Sequence, residues 1–194
     1  MQDFFLYFLL GWEHILDWQG YDHILFVTAF CGIYSLHHWK RVLWSVTAFT
    51  IGHTITLILS VLDQIRFSAV LVEFLIPVTI VLTALFNILN KKQKPGAARI
   101  SYGLALVFGL IHGLGFSNYL KSLLGRSTNI VAELFSFNLG LEAGQLVIVL
   151  GVLILSWFVV TLFKVPQREW NLFILSAIFG VALTMALERL PYSF

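Results

Sequence analysis

The stretch Thr128–Phe163, TNIVAELFSFNLGLEAGQLVIVLGVLILSWFVVTLF, runs for 36 residues without a lysine or an arginine. At 1.5 Å of rise per residue a continuous helix here is about 54 Å long. The hydrocarbon core of a bilayer is only about 30 Å thick. Such a segment belongs in lipid, and it must tilt, break or project beyond the bilayer. If it breaks, Gly140 and Gly144 are the place.

Outward from this stretch the same pattern repeats. Apolar runs at Tyr21–Leu36, Val42–Leu62, Phe67–Leu89, Ile100–Leu120 and Glu169–Leu187 carry no Lys or Arg either, as expected when a cation at the bilayer centre costs about 2.5 kcal/mol or more. Charged separators divide them, among them His37-His38-Trp39-Lys40-Arg41 and Asn90 to Arg99, the latter with Pro95-Gly96 as turn chemistry. His37 and His38, beside Lys40 and Arg41, read as a solvated loop. Phe4–Trp18 is apolar but half-polar at its end, with neither a basic leader nor a small-residue cleavage site. It reads as an interfacial or re-entrant helix. The expected fold is therefore an all-α, polytopic membrane bundle of about six transmembrane helices plus that short N-terminal helix. Residues 1–194 form a single integral membrane domain.

Composition agrees. Of 194 residues 59% are hydrophobic and 11% charged, with mean hydropathy +0.88, whereas soluble domains carry about 25% charged residues. Twelve basic against ten acidic residues give a net charge of +2, with no basic stripe for nucleic acid. The one cysteine, Cys31, allows no internal disulfide and reads as packing. Alternate loops hold eight basic residues (Lys40, Arg41, Lys91, Lys92, Lys94, Arg99, Lys164, Arg168) against four on the other side (Arg66, Lys121, Arg126, Arg189). Basic residues favour the cytoplasm, so both termini are expected outside.

Ionisable groups at membrane depth are functional candidates because they are expensive to keep there. They are Asp22, His23, His53, Glu73, His112, Glu133 and Glu142, with Glu13, His14 and Asp17 just before the first long run. By position along their spans, His53, Glu73, His112 and Glu142 lie in the outer half or at the midplane, which suggests one site reached from outside. Pro77 frees the carbonyl four residues back, which is that of Glu73. Asn138, Glu142 and Gln145 recur at i, i+4 and i+7, a polar stripe, with Gly140 and Gly144 on the opposite, packing face. His14 and His23 are nine residues apart, about 900° of continuous helix. They can share a site only if the chain breaks between them, and Gly20 is the place. Three imidazoles, His23, His53 and His112, with carboxylates suit zinc, nickel, cobalt or copper. A phosphate loop, a GxSxG elbow and an HExxH pair are all missing from the sequence.

Four ordered blocks carry a family resemblance. Gly11-Trp12-Glu13-His14-Ile15 with Gly20-Tyr21-Asp22-His23-Ile24-Leu25-Phe26 resembles the opening signature of the HupE/UreJ family. Phe49-Thr50-Ile51-Gly52-His53-Thr54-Ile55-Thr56-Leu57, Ile111-His112-Gly113-Leu114-Gly115-Phe116 and Phe137-Asn138-Leu139-Gly140-Leu141-Glu142-Ala143-Gly144-Gln145 resemble its later blocks. The resemblance implies a nickel or cobalt permease of the bacterial inner membrane, linked to hydrogenase and urease maturation. It implies metal handling by His14, Asp22, His23, His53, His112 and Glu142, with Asn138 and Gln145 in support. The interval from His14 to Asp22 is longer than in nickel-transporting members, and a His-rich tail is missing.

Two functional readings stand side by side. One is a divalent-metal permease taking nickel, cobalt or zinc from the outer side, embedded in lipid, with room left for a homo-oligomer. The other is an intramembrane zinc enzyme acting on a periplasmic or lipid-associated small substrate, with Glu73 or Glu142 as general base on metal-bound water.

Overall fold

A computed structural model of the chain describes residues 2–31, 34, 39–90, 97–124 and 129–191. Seven helices are described: α1 (Gln2–Leu16), α2 (Asp22–Cys31), α3 (Trp39–Val61), α4 (Ala69–Leu89), α5 (Ala97–Leu124), α6 (Ile130–Leu162) and α7 (Gln167–Glu188). Among the described residues there is no strand. Helix is what an apolar chain must form in lipid, since each backbone polar group then finds its partner within its own segment. Helices α3, α4, α6 and α7 and the Ile100–Ser117 part of α5 are long and apolar enough to cross a membrane. The chain is a multi-pass membrane protein. The His37-His38 loop lies outside the described residues.

Within the first expected span, Tyr21–Leu36, the described residues include the ten-residue α2 (Asp22–Cys31), which is about 15 Å long. Down α5 the ring neighbours descend a turn at a time: Phe116 beside His14 at 3.9 Å, His112 beside His23 at 4.8 Å, Phe108 stacked on Phe26 at 4.0 Å. α1 and α2 thus follow one another antiparallel to α5 as two pieces of one path, interrupted at residues 17–21. There Asp17 Oδ1 accepts the Gln19 backbone N–H at 2.9 Å, a side-chain turn that competes with helix. The N-terminal helix enters the bundle rather than lying flat across its end. α6, by contrast, is unbroken over 33 residues, so of the three alternatives for this stretch a break at Gly140 and Gly144 is ruled out. Those glycines are used for packing.

Three helix pairs carry most of the assembly: α3 with α5, α1 with α6, and α4 with α7. The first two are parallel and exceptionally close. A Cβ placed on Gly109 would lie 2.0 Å from the Phe49 carbonyl oxygen, and one on Gly11 would lie 2.0 Å from that of Phe137. Backbone contact of this kind is how membrane helices associate without a hydrophobic driving force. α4 and α7 run antiparallel, with Arg189 at the end of α7 reaching 3.5 Å from the Glu73 carbonyl, the group that Pro77 frees. On the same side of the bundle Asp63, in the turn after α3, pairs with Lys121 of α5 and with Arg66. The Lys121 hydrogen bond, with Arg66 beside it, holds the Asp63 carboxyl below the usual carboxylate range. The beginning of α1 meets the beginning of α6 through Ser136 and the Phe4 carbonyl. This side, where the described chain begins and ends, is the terminal side below. Large apolar residues such as Trp44, Leu150 and Phe173 are exposed on the outer surface, where they meet acyl chains.

Candidate metal centre

Four histidines from four helices converge inside the bundle. The His23 ring lies 4.7 Å from that of His14 and 4.8 Å from that of His112, and His14 lies 6.2 Å from His53. The break at residues 17–21 makes this possible, because it lets His14 at the end of α1 and His23 at the start of α2 face each other. Asp22 joins them. It is buried, and one carboxylate oxygen is 3.0 Å from His23 Nδ1 and 2.8 Å from the His23 backbone nitrogen. The ligand atoms of Asp22, His23 and His112 lie within 4.8 Å of one another.

The surroundings fix which nitrogens are free. His112 Nδ1 lies 3.2 Å from the Phe108 carbonyl, so the proton sits on Nδ1 and the lone pair on Nε2. The Asp22 carboxylate, 3.0 Å from His23 Nδ1, places a negative charge beside that ring, as carboxylates beside metal-binding histidines do. Nε2 of His14 and His112 and both ring nitrogens of His23 and of His53 are buried without a hydrogen-bond partner. His53 is 0% and His112 2% exposed, so these atoms cannot turn to water. Buried polar groups are ordinarily bonded, and an orphan costs about 1–3 kcal/mol. Four such imidazoles in one place fit a divalent transition ion, which takes neutral imidazole nitrogen at about 2.0–2.1 Å. The chemistry suits zinc, copper, nickel or cobalt rather than calcium or magnesium, which want oxygen.

Aromatic rings wall the centre. Phe49, Phe116 and Phe137 pack within about 6 Å of one or more of the histidines, keeping out water. A cavity of about 480 Å³ reaches His14 from the surface, with Glu13, Asp17, Trp12 and Tyr119 in its wall. An acidic mouth of this kind raises the local concentration of cations.

Of the six positions implied as metal-handling, five meet here: His14, Asp22, His23, His53 and His112. Glu142 is placed elsewhere. Its Oε1 accepts a hydrogen bond from Thr47 at 2.9 Å, and one helical turn on, Gln145 Oε1 accepts one from Thr50 at 3.0 Å. Asn138 donates to the Leu134 carbonyl on its own helix. Glu73 is exposed in a second cavity of about 480 Å³, which Asp63, Arg66 and Lys121 also line. Sequence reasoning missed Thr47 and Thr50. The signal was present: Thr47, Thr50 and Thr54 recur at spacings of three and four in an otherwise apolar run.

Searches of curated proteins and of solved structures found no match. The family model described as "HupE / UreJ protein" matches residues 1–189, nearly the whole chain and every helix of the centre. The chain belongs to the HupE/UreJ family.

Proposed function

We propose that this protein is a permease for a divalent transition metal of the nickel or cobalt type, and that His14, Asp22, His23, His53 and His112 hold the ion in transit. The carrying observation is the set of buried imidazole nitrogens without partners, oriented by Asp22 and by the Phe108 carbonyl. Transport needs no nucleotide. A divalent ion gains about 4.6 kcal/mol from a potential of 100 mV, on the order of a thousandfold accumulation. By the basic-residue asymmetry the terminal side faces out of the cytoplasm of a bacterial inner membrane. The acidic cavity beside His14 then serves as the entry.

The zinc-enzyme alternative names Glu73 or Glu142 as its base. Glu142 is engaged with Thr47 and Glu73 lines a different cavity, which counts against those two residues as the base. The test is metal content of the purified protein together with nickel and cobalt uptake into proteoliposomes. Wild type is expected to bind about one ion and to take it up. His53→Ala and His112→Ala are each expected to lose most bound metal, because one missing ligand of about four leaves the shell incomplete. Full occupancy in both variants would refute the shared site.

A further inference from the structure

Two helix pairs in this bundle are copies of one another. In α1 with α6, a Cβ on Gly11 would lie 2.0 Å from Phe137 O and 2.9 Å from Leu141 N. In α5 with α3, a Cβ on Gly109 would lie 2.0 Å from Phe49 O and 2.9 Å from His53 N. The reciprocal contacts match as well: Gly140 closes on the Phe8 carbonyl and Gly52 on that of Leu106. One turn further, Gly113 meets Thr56 while Gly144 meets Ile15, the same contact with the glycine on the other partner. The sequences follow the geometry. Gly11-x-x-His14 aligns with Gly109-x-x-His112, and Phe49-Thr50-Ile51-Gly52 with Phe137-Asn138-Leu139-Gly140. α1 and α5 are antiparallel, so the copies are inverted. His23 sits between the two equivalent histidines, 4.7 Å from His14 and 4.8 Å from His112, which puts it on the axis that exchanges them.

The equivalence makes one asymmetry meaningful. α3 and α6, the second partners of the two pairs, also pack against each other. On the side away from the termini they are fastened by Thr47–Glu142 and Thr50–Gln145. The two-fold carries Thr47 onto Phe135, Glu142 onto Thr54 and Thr50 onto Asn138. On the terminal side those residues are not fastened. Thr54, Phe135 and Asn138 instead line an open groove of about 510 Å³. Positions related by the two-fold are thus hydrogen-bonded between α3 and α6 at one end and line a groove at the other, where Phe135 and Leu57 stand in place of Thr47 and Gln145.

We propose that the protein is an inverted duplication, α1–α4 against α5–α7, and that the α3/α6 crossing is a two-position gate around the histidine centre. The gate is latched here on the far side by Thr47–Glu142 and Thr50–Gln145 and open on the terminal side. Its other position exchanges the two, closing Thr54 on Phe135 and freeing Glu142. Inverted repeats with a site at their interface are the architecture in which one half rocks against the other. This inference deepens the permease reading and rests on it for its purpose, although the gate can be observed without transport.

The experiment uses full-length protein in membranes, with Cys31→Ser and one of two cysteine pairs, Thr47→Cys with Glu142→Cys or Thr54→Cys with Phe135→Cys. Cross-linking rates are measured with a short bismaleimide. The first pair is expected to link readily and the second slowly. Adding Thr50→Val and Gln145→Leu to the second pair removes half the latch and should speed its linking on the order of tenfold. Thr47→Val serves as a milder substitute if that variant melts early. An unchanged rate of linking at 54/135 in folded protein overturns the gate. Linking the first pair should also stop nickel uptake. Uptake that persists through a complete 47/142 cross-link likewise overturns the gate while leaving the permease standing. If unlinked protein takes up no nickel but the rates still exchange, the permease reading falls and the gate stands.

Discussion

At the scale of single residues the centre is an arrangement of lone pairs. Asp22 is its most economical part, since one oxygen accepts the His23 backbone N–H and brings its charge to 3.0 Å from the His23 ring nitrogen Nδ1. Replacing it with Asn keeps the shape and removes the charge that favours the Nδ1–H form. Asp22→Asn is therefore expected to weaken metal binding by about 10–100-fold, the usual effect of losing a partner behind a ligand. Glu142→Gln still offers Thr47 an acceptor and should keep metal affinity within about twofold. Isothermal titration of both variants with nickel checks the pair, and a large loss in Glu142→Gln would return that residue to the metal shell. The histidines were legible from sequence because an ionisable side chain in an apolar run has few bland explanations. Glu142 was legible as special but not as to its role. Its partner Thr47 lies 95 residues away on another helix, and a polar stripe on α6 does not say which helix it meets.

At the scale of elements the assembly rests on backbone contact. Gly109→Ala and Gly11→Ala would each drive a methyl into a carbonyl oxygen 2.0 Å away, forcing helices apart along their length. Each should cost several kcal/mol, in the range of strong overpacking, and lower the melting temperature in detergent markedly. Gly151→Ala meets nothing within 4 Å and should melt at or slightly above wild type, since alanine favours helix by up to about 1 kcal/mol. Equal melting for Gly109→Ala and Gly151→Ala would contradict the packing described. The element boundaries were readable where charge interrupts apolar runs, as at Asp63 to Arg66. The interruption before Asp22 was readable from angular arithmetic on His14 and His23. What could not be read was the partner of each helix. α3 chooses α5, two elements on, because Gly52 and Gly109 fit each other's backbones, and a glycine in a sequence does not name its complement. For the same reason Gly140 and Gly144 suggested a break, whereas the structure keeps α6 whole and sets α1 against them.

At the scale of the molecule, the described chain begins and ends on one side, and a path of even crossings follows: five continuous helices and the α1/α2 path. A reporter fused after Phe194 is expected to be active only outside the cytoplasm, the side of fewer basic residues. Activity confined to the cytoplasm would reverse the orientation and with it the sense of transport. α6, at 33 residues, is about 50 Å long and exceeds the hydrocarbon core, so it tilts through the bilayer or stands out of it. The cavity on which α1 and α5 open has a further consequence, which is optical. Trp12 stands in the same wall as His14, so a paramagnetic ion arriving at the imidazole comes within quenching range of an indole already present in the chain. On the permease reading proposed above, part of the tryptophan emission is expected to fall as nickel enters, and Trp12→Phe should remove that part. Stopped-flow emission can time the first step separately from release, with no label attached.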